Sequence, residues 1–276
     1  MNHNKQEEVE LLLKNNIPVL LEGPTGTGKT TILQKAAKAA GVSYSFIAGT
    51  RQTTVSNVLG FMSVSGTYVP SVFRKAYVEG HYFNIDEIDA MDPNALLVFN
   101  SLENNIVAFP DGYSEPPHKD FRLCATANPR DAHDRHTGRA VLDEATLDRF
   151  DIITLDIDPE MEARILSEDT FKTLMAVRLA YRECNVHKHI SLRDGLRLDK
   201  RKALGLSENY LDKLLNSDED LIRSYQKHLP EKLIDQSKVE TVDELWNIIR
   251  KEKENEQSNA TVQHKQASWN PNAERW

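Results

Sequence analysis

The chain has 276 residues, enough for one large domain or two unequal ones. With 39% hydrophobic and 28% charged residues, its composition is that of a globular protein. A formal net charge of -8 excludes a global positive field that would attract nucleic acid or an anionic membrane, although a local basic loop could still bind either. Two cysteines allow at most one disulfide bridge. The sequence contains neither a signal peptide pattern nor an apolar run near the ~18 residues of a membrane span, so we expect a cytoplasmic protein.

Helix and strand patterns alternate along the first 158 residues. Helical patterns occur at residues 5–16, 29–41 and 92–104. Apolar or alternating runs predict strands at residues 17–23, 43–49, 81–89, 121–129 and 151–158. Alternation of this kind predicts an α/β fold, with a parallel sheet covered by helices on both faces and a ligand at the carboxyl ends of its strands.

The pattern changes after Asp158, where helices follow one another without strands. We therefore predict an α/β domain over residues 1–158 and a smaller helical domain over residues 159–250. Residues 251–276 are polar, rich in Asn and Gln and without periodicity, which predicts a flexible tail.

The first chemical motif is "GPTGTGKT", which lies between a predicted strand and a predicted helix. It matches the phosphate-binding pattern G-x-x-x-x-G-K-[ST], in which glycines let backbone N–H groups surround a phosphate. We predict that Lys29 contacts the β- and γ-phosphates and that the Thr30 hydroxyl ligates Mg²⁺. The predicted nucleotide-binding residues are Gly23, Pro24, Thr25, Gly26, Thr27, Gly28, Lys29, Thr30 and Thr31.

Two later strands end in polar residues that complement this loop. In "YFNIDEID" we predict that Asp86 holds Mg²⁺ through a water molecule and that Glu87 polarises the attacking water. In "CATANP" the side chain of Asn128 could orient the same water, or it could start an Asn-Pro turn. A water-activating base favours an ATPase over a kinase, and ATP is favoured over GTP because no N-K-x-D motif is found.

In this order, the phosphate loop and the motifs "NIDEID", "ATANP", "ATLDRFD" and "SLRD" (191–194) resemble those of AAA+ ATPases. The resemblance is strongest to the MoxR-like, dynein-related branch, which includes the cobaltochelatase small subunit and phage-encoded ATPases. It implies a P-loop NTPase fold with a parallel five-stranded sheet in the order 5-1-4-3-2 and a small C-terminal helical lid. It also implies assembly into a homo-oligomeric ring, expected to be a hexamer, in the host cytoplasm if the protein is phage-encoded.

The resemblance assigns roles to further residues. Asn128 takes the position of the sensor asparagine, and Arg193 that of a second-sensor arginine that contacts the γ-phosphate from the lid. Arg149 takes the position of the arginine finger, which would complete the site of a neighbouring subunit. Arg139 and Arg135 are alternatives for that finger, and Arg149 and Arg139 could also act as a pair.

Two segments fall outside a minimal ATPase core. By the resemblance, residues 50–70 carry a hairpin inserted into the second helix, and residues 105–120 carry a hairpin before the sensor strand. Both would face the central pore or a partner, unless their aromatic side chains pack within the hairpins instead. The aromatic candidates for gripping a partner are Phe61, Tyr68, Phe109 and Tyr113.

Together these assignments predict an Mg²⁺-dependent ATPase, with ATP as nucleotide, that remodels a partner protein or complex. Relatives in this branch often work with a partner of the von Willebrand A type. The alternative is a nucleic-acid translocating or loading ATPase, which the acidic net charge disfavours. A nucleotide switch without hydrolysis is a third possibility, against which Glu87 and Asn128 argue.

Overall fold

The computed structural model describes residues 3–128, 142–186, 188–206, 208–216 and 218–228. They divide into two compact units, one ending at Ile157 and the other beginning at Asp158. The predicted tail, 251–276, and the predicted end of the helical domain, 229–250, lie outside the described residues. No helix within the described ranges is long and apolar enough to cross a membrane.

The first unit alternates helices and strands. Its helices are α1 (Gln6–Lys14), α2 (Lys29–Ala40), α3 (Val55–Leu59), α4 (Val72–Glu79), α5 (Pro93–Leu96) and α6 (Glu144–Leu147), with short 3-10 helices at Ile88–Ala90 and Leu97–Asn104. Its strands are β1 (Val19–Glu22), β2 (Tyr44–Ala48), β3 (Phe61–Met62), β4 (Tyr68–Val69), β5 (Tyr82–Asp86), β6 (Arg122–Ala127) and β7 (Asp151–Thr154). The five predicted strands are thus confirmed, and each is shorter than predicted.

Five strands form one parallel sheet in the order β2-β5-β6-β1-β7, and β3 and β4 pair separately as an antiparallel hairpin. When β3 and β4 are left out of the numbering, the five parallel strands, read from β7 to β2, have the order 5-1-4-3-2. This is the predicted order. The predicted α/β fold is confirmed.

Strand β1 is buried on both faces, as its continuous apolar sequence predicts. Val19 and Leu21 belong to a core shared with Leu33 of α2, whereas Leu20 belongs to a second core with Phe73 of α4. Alternate side chains of one strand therefore anchor helices on opposite faces of the sheet.

The predicted hairpin over residues 105–120 is wrong, because no strand occurs in this described segment. The segment instead contains turns, and in one of them the Phe109 N–H donates to the Tyr113 carbonyl at 2.9 Å. Pro110, Pro116 and Pro117 lie in the segment and cannot donate to a strand ladder, which accounts for its irregular course.

In its described residues the second unit contains helices and no strand. Its described helices are α7 (Pro159–Ile165), α8 (Glu168–Glu183), α9 (Leu192–Ala203), α10 (Glu208–Leu214) and α11 (Glu219–Lys227). Helix α8 begins as a separate helix after α7, because the Ser167 hydroxyl caps it by accepting from the Thr170 N–H. Gly195 lets α9 pack closely against the Leu166 side chain, since a Cβ at this position would lie 2.7 Å from Leu166 Cδ1.

A buried ion pair fastens this helical unit. The Arg178 guanidinium donates to both carboxylate oxygens of Glu162, at 2.5 and 2.8 Å, and also to the Ile190 carbonyl at 2.9 Å. The Glu162 side chain is 3% exposed. One side chain of α8 therefore holds α7 and the segment that leads into α9.

We expect Arg178→Met to lower the free energy of unfolding by about 3–5 kcal/mol, because it leaves the buried Glu162 carboxylate without its cation. Arg223→Met is the matched control, since Arg223 forms an exposed pair with Asp220 and its loss should cost less than about 1 kcal/mol. Urea denaturation followed by circular dichroism measures both. If the free energy of unfolding fell equally in the two variants, the stabilising role of the Arg178–Glu162 pair would be contradicted.

Candidate functional site

The parallel register brings three chain segments to one edge of the sheet. Leu21 and Glu22 of β1 pair with Thr126 and Ala127 of β6, and Ile85 of β5 pairs with Ala125. All three strands run in the same direction, so the segments that follow their carboxyl ends are neighbours. These segments are the phosphate loop, the Asp86–Glu87 pair and Asn128.

Glycines shape the phosphate loop in two different ways. Gly26 and Gly28 have left-handed backbones, with φ of 86° and 93°, which L side chains rarely adopt. Gly23 instead allows the start of the loop to lie close to the Leu155 backbone, since a Cβ at Gly23 would be 2.3 Å from the Leu155 carbonyl oxygen. Helix α2 begins directly after the loop at Lys29, so its first N–H groups point toward it.

The Lys29 ammonium group joins the loop to the end of β6. It donates to the carbonyl oxygens of Gly23 and Pro24, the latter at 3.0 Å, and to Asn128 Oδ1 at 3.2 Å. The predicted phosphate contact and the predicted sensor asparagine therefore lie within hydrogen-bonding distance of each other.

The Asp86 carboxylate lies beside two hydroxyl groups. Thr30 Oγ1 is 3.4 Å from Asp86 Oδ1, and Thr126 Oγ1 donates to the same oxygen at 2.6 Å. A threonine hydroxyl and a carboxylate are oxygen ligands of the kind that Mg²⁺ prefers. The donor set of Thr30 and Asp86 thus fits the predicted cation, and the adjacent loop of N–H groups and Lys29 fits the phosphates that would share it.

Glu87 follows in a left-handed conformation, with φ 55° and ψ 51°. Such a backbone costs a non-glycine residue about 1–2 kcal/mol, so neighbouring contacts must hold it in place. The Glu87 N–H donates to Thr126 Oγ1 at 3.0 Å, and the Gly49 N–H donates to the Asp86 carbonyl at 2.6 Å.

Sequence reasoning missed Thr126, which contacts both members of the acidic pair. It lies two residues before Asn128 in "CATANP", and so on the same face of the chain in an extended strand. That spacing was the available signal, but only the pairing of β6 with β5 shows what the hydroxyl contacts.

Arg149 lies at the opposite edge of the sheet. It is two residues before β7, whose first residue Asp151 pairs with Val19, the first residue of β1. The four paired positions of these strands alone separate Arg149 from the loop after β1 by roughly 10 Å. The structure therefore does not bring Arg149 to the phosphate loop of its own subunit.

Local contacts hold the Arg149 side chain, whose guanidinium donates to the Ala145 carbonyl. Hydrogen bonds from Thr146 place the pKa of the Asp143 carboxyl below its usual range, and the nearby positive charge of Arg149 adds to the effect. The alternative finger residues Arg139 and Arg135 lie outside the described residues.

Arg193 belongs to the second unit, where it is the second residue of α9 and is exposed. The helix begins with a capping box, in which the Ser191 N–H and hydroxyl donate to Asp194 at 2.9 and 2.8 Å. Burial raises the pKa of the Asp194 carboxyl, but hydrogen bonds from Ser191 and Tyr210 outweigh it, so the pKa lies below its usual range.

The aromatic candidates have different surroundings. Phe109 is buried and packs against Phe73 and Tyr77, so the expectation that it grips a partner is wrong. The Arg74 guanidinium stacks 3.5 Å from the centre of the Tyr113 ring, which is thus partly covered. Tyr68 donates its hydroxyl to the Leu59 carbonyl at 2.6 Å. Phe61, which is 49% exposed, remains available on the β3–β4 hairpin.

Residues 18–150 match the family model described as the AAA domain of the dynein-related subfamily. This segment is an AAA domain. A midasin from Giardia intestinalis is 28% identical in an alignment of 219 residues that covers 70% of this chain and 4% of midasin. An uncharacterized protein from Staphylococcus epidermidis is 24% identical in an alignment of 176 residues that covers 59% of this chain and 65% of that protein.

Among solved structures, NtrX from Brucella abortus has a TM-score of 0.52 at 11% identity and covers 75% of this chain and 51% of its own. This likeness shows a shared fold alone. The assignment to the AAA family thus depends on the family match and not on this structural likeness.

We expect Gly23→Ala to weaken nucleotide binding by at least about tenfold, because overpacking against Leu155 costs about 1–3 kcal/mol and displaces the start of the loop. Gly41→Ala is the matched control at the other end of α2. A Cβ there meets nothing within 4 Å, so only the strain of its positive φ is added. Titration with a fluorescent ATP analogue measures both variants, and equal affinities would argue against the close approach at Gly23.

Proposed function

We propose that the chain is an Mg²⁺-dependent ATPase that works in a homo-oligomeric ring. The observation that carries this proposal is the convergence of Lys29, Asp86 and Asn128 at one edge of the sheet, directly beside the glycine-rich loop. AAA domains generally assemble into rings, which supports the oligomeric part of the proposal.

In this proposal the loop N–H groups and the Lys29 ammonium bind the phosphates of ATP. The Thr30 hydroxyl and the Asp86 carboxylate hold Mg²⁺, which neutralises charge on the phosphates when it is bound. The Glu87 carboxylate accepts a proton from the attacking water, and the Asn128 amide orients that water. We assign Arg193 a contact with the γ-phosphate on the resemblance of "SLRD" alone.

For Glu87→Gln we expect ATP binding to persist while turnover falls at least about a hundredfold, because the amide cannot accept the proton. Nucleotide titration and steady-state phosphate release measure the two quantities. Asp89→Asn serves as a control on the same short segment, and it should leave turnover within about threefold of wild type, as for a group outside the reaction. Near-normal turnover in Glu87→Gln would exclude its role as base.

We propose that Arg149 acts on the nucleotide of a neighbouring subunit. Its position at the amino edge of β7 supports this, since the phosphate loop of its own subunit lies beyond the carboxyl edge. A ring places different edges of adjacent subunits against each other, so a guanidinium at one edge can complete a site at another. Arg139 and Arg135 remain the alternatives.

Mixing two inactive variants tests action in trans. Arg149→Ala lacks the finger and Lys29→Ala lacks the phosphate contact, so a mixed ring contains some sites in which both groups are intact. We expect each variant alone to lose at least about a hundredfold in turnover, and the mixture to recover part of the activity. Subunit exchange is verified separately by fluorescence energy transfer between labelled subunits. Exchange without recovery would contradict the assignment of Arg149.

We further propose that the ring remodels a protein partner. The β3–β4 hairpin supports this choice over nucleic acid. Phe61, Met62 and Val64 are exposed on it, and no charged residue occurs from Phe61 to Thr67. Contacts with nucleic acid depend on lysine and arginine at the phosphate backbone, whereas an apolar tip suits a protein surface.

Within the dynein-related subfamily, we place the chain near the MoxR-like and cobaltochelatase small-subunit branch. The details that support this are "HKDFRLCATANP" and "ATLDRFD". On the same resemblance we propose a hexamer and a partner of the von Willebrand A type. The resemblance concerns the motor, so metal chelation is not part of the proposal.

A further inference from the structure

The peptide bond between Asp86 and Glu87 is held on both sides by neighbouring strands. Its carbonyl oxygen accepts from the Gly49 N–H at 2.6 Å, at the end of β2. Its N–H donates to Thr126 Oγ1 at 3.0 Å, in β6. Gly49 cannot carry a side chain here, because a Cβ would lie 2.4 Å from the Glu87 carbonyl oxygen. The acidic pair is therefore fixed by its backbone.

The Thr126 hydroxyl also fixes one of the side chains. It donates its hydrogen to Asp86 Oδ1 at 2.6 Å while it accepts the Glu87 N–H, so one buried group contacts both acidic residues. Thr126 is 1% exposed, and water has little access to replace it. A hydroxyl has one donor and two acceptor sites, so this double use is within its capacity.

We propose that Thr126 is a positioning residue that aims both acidic side chains at the nucleotide site. This inference rests on the proposed ATPase function. Through Oγ1 it orients the Asp86 carboxylate next to Thr30, and through the Glu87 N–H it holds the left-handed backbone from which the Glu87 side chain projects. Asn128 directly follows the same strand, so β6 positions the proposed sensor asparagine and the acidic pair together.

Valine tests this role, because it retains the branched shape of threonine and lacks only the hydroxyl. Thr126→Val removes the donor to Asp86 and leaves the Glu87 N–H without its acceptor. We expect kcat to fall about tenfold to hundredfold with the KM for ATP nearly unchanged, as for loss of a hydrogen bond to a charged group. The half-saturating Mg²⁺ concentration for nucleotide binding should rise about threefold or more, because the Asp86 carboxylate is no longer oriented.

Thr126→Ser retains the hydroxyl and should recover turnover to within about threefold of wild type. Thr173→Val is the matched control in the helical unit, where a buried threonine hydroxyl donates to the Asp169 carbonyl at 2.8 Å. It should leave both kcat and the Mg²⁺ dependence unchanged. Thermal melts of all variants show whether the changes in kcat and in Mg²⁺ dependence instead result from a loss of stability.

A double-mutant cycle separates positioning from general weakening of the fold. If Thr126 acts through Glu87, Thr126→Val should lower turnover much less in the Glu87→Gln background than in wild type. Full additivity would contradict the inference, and so would wild-type kcat and Mg²⁺ dependence in Thr126→Val, or a Thr126→Ser variant as impaired as the valine.

The same measurements distinguish this inference from the proposed function. Wild-type protein that hydrolyses no ATP would overturn the ATPase proposal. In that case the Mg²⁺ dependence of analogue binding still tests Thr126, and an unshifted half-saturation in Thr126→Val would overturn its role. Wild-type turnover that Thr126→Val leaves intact would overturn the inference alone.

Discussion

The parallel pairing of β1, β5 and β6 is the constraint on which the candidate site depends. Each strand contributes residues that are remote in sequence, and only a shared direction brings their carboxyl ends to one edge. The contact between Lys29 and Asn128 spans 99 positions of sequence at 3.2 Å, and it exists because β1 and β6 are neighbours in register. A strand inserted between them, or an antiparallel pair, would separate the phosphate loop from Asn128.

The pairing of β7 with β1 is the basis of the proposal that Arg149 acts on a neighbouring subunit. Strand β7 is parallel to β1, so the residue that enters it, Arg149, lies at the edge away from the phosphate loop. The Gly23 backbone approaches Leu155, which follows β7, so the loop is also built against this strand. The end of β7 therefore shapes the loop, whereas its beginning lies beside Arg149, away from that loop.

The sequence predicted the sheet and the loop well because each depends on local patterns. Buried strands read as apolar runs, and the glycine spacing of Gly23–Thr30 reflects backbone conformations at Gly26 and Gly28. The burial of Phe109 could not be predicted, because it depends on packing against α4. Thr126 was missed for a similar reason, since its contacts lie across strands. The irregular course of residues 105–120 was predictable from their prolines, which cannot donate to a strand ladder, but the hairpin was expected from the resemblance instead.

We propose that the edge formed by β1, β5 and β6 binds a nucleotide through Lys29. Isothermal titration with Mg²⁺ and a non-hydrolysable ATP analogue measures this binding in wild type and in Lys29→Ala. We expect saturable binding to wild type and at least about a hundredfold weaker binding to the variant, because the ammonium that would contact the phosphates is gone. Equal affinity in the two proteins, or no binding to either, would overturn the proposed nucleotide site.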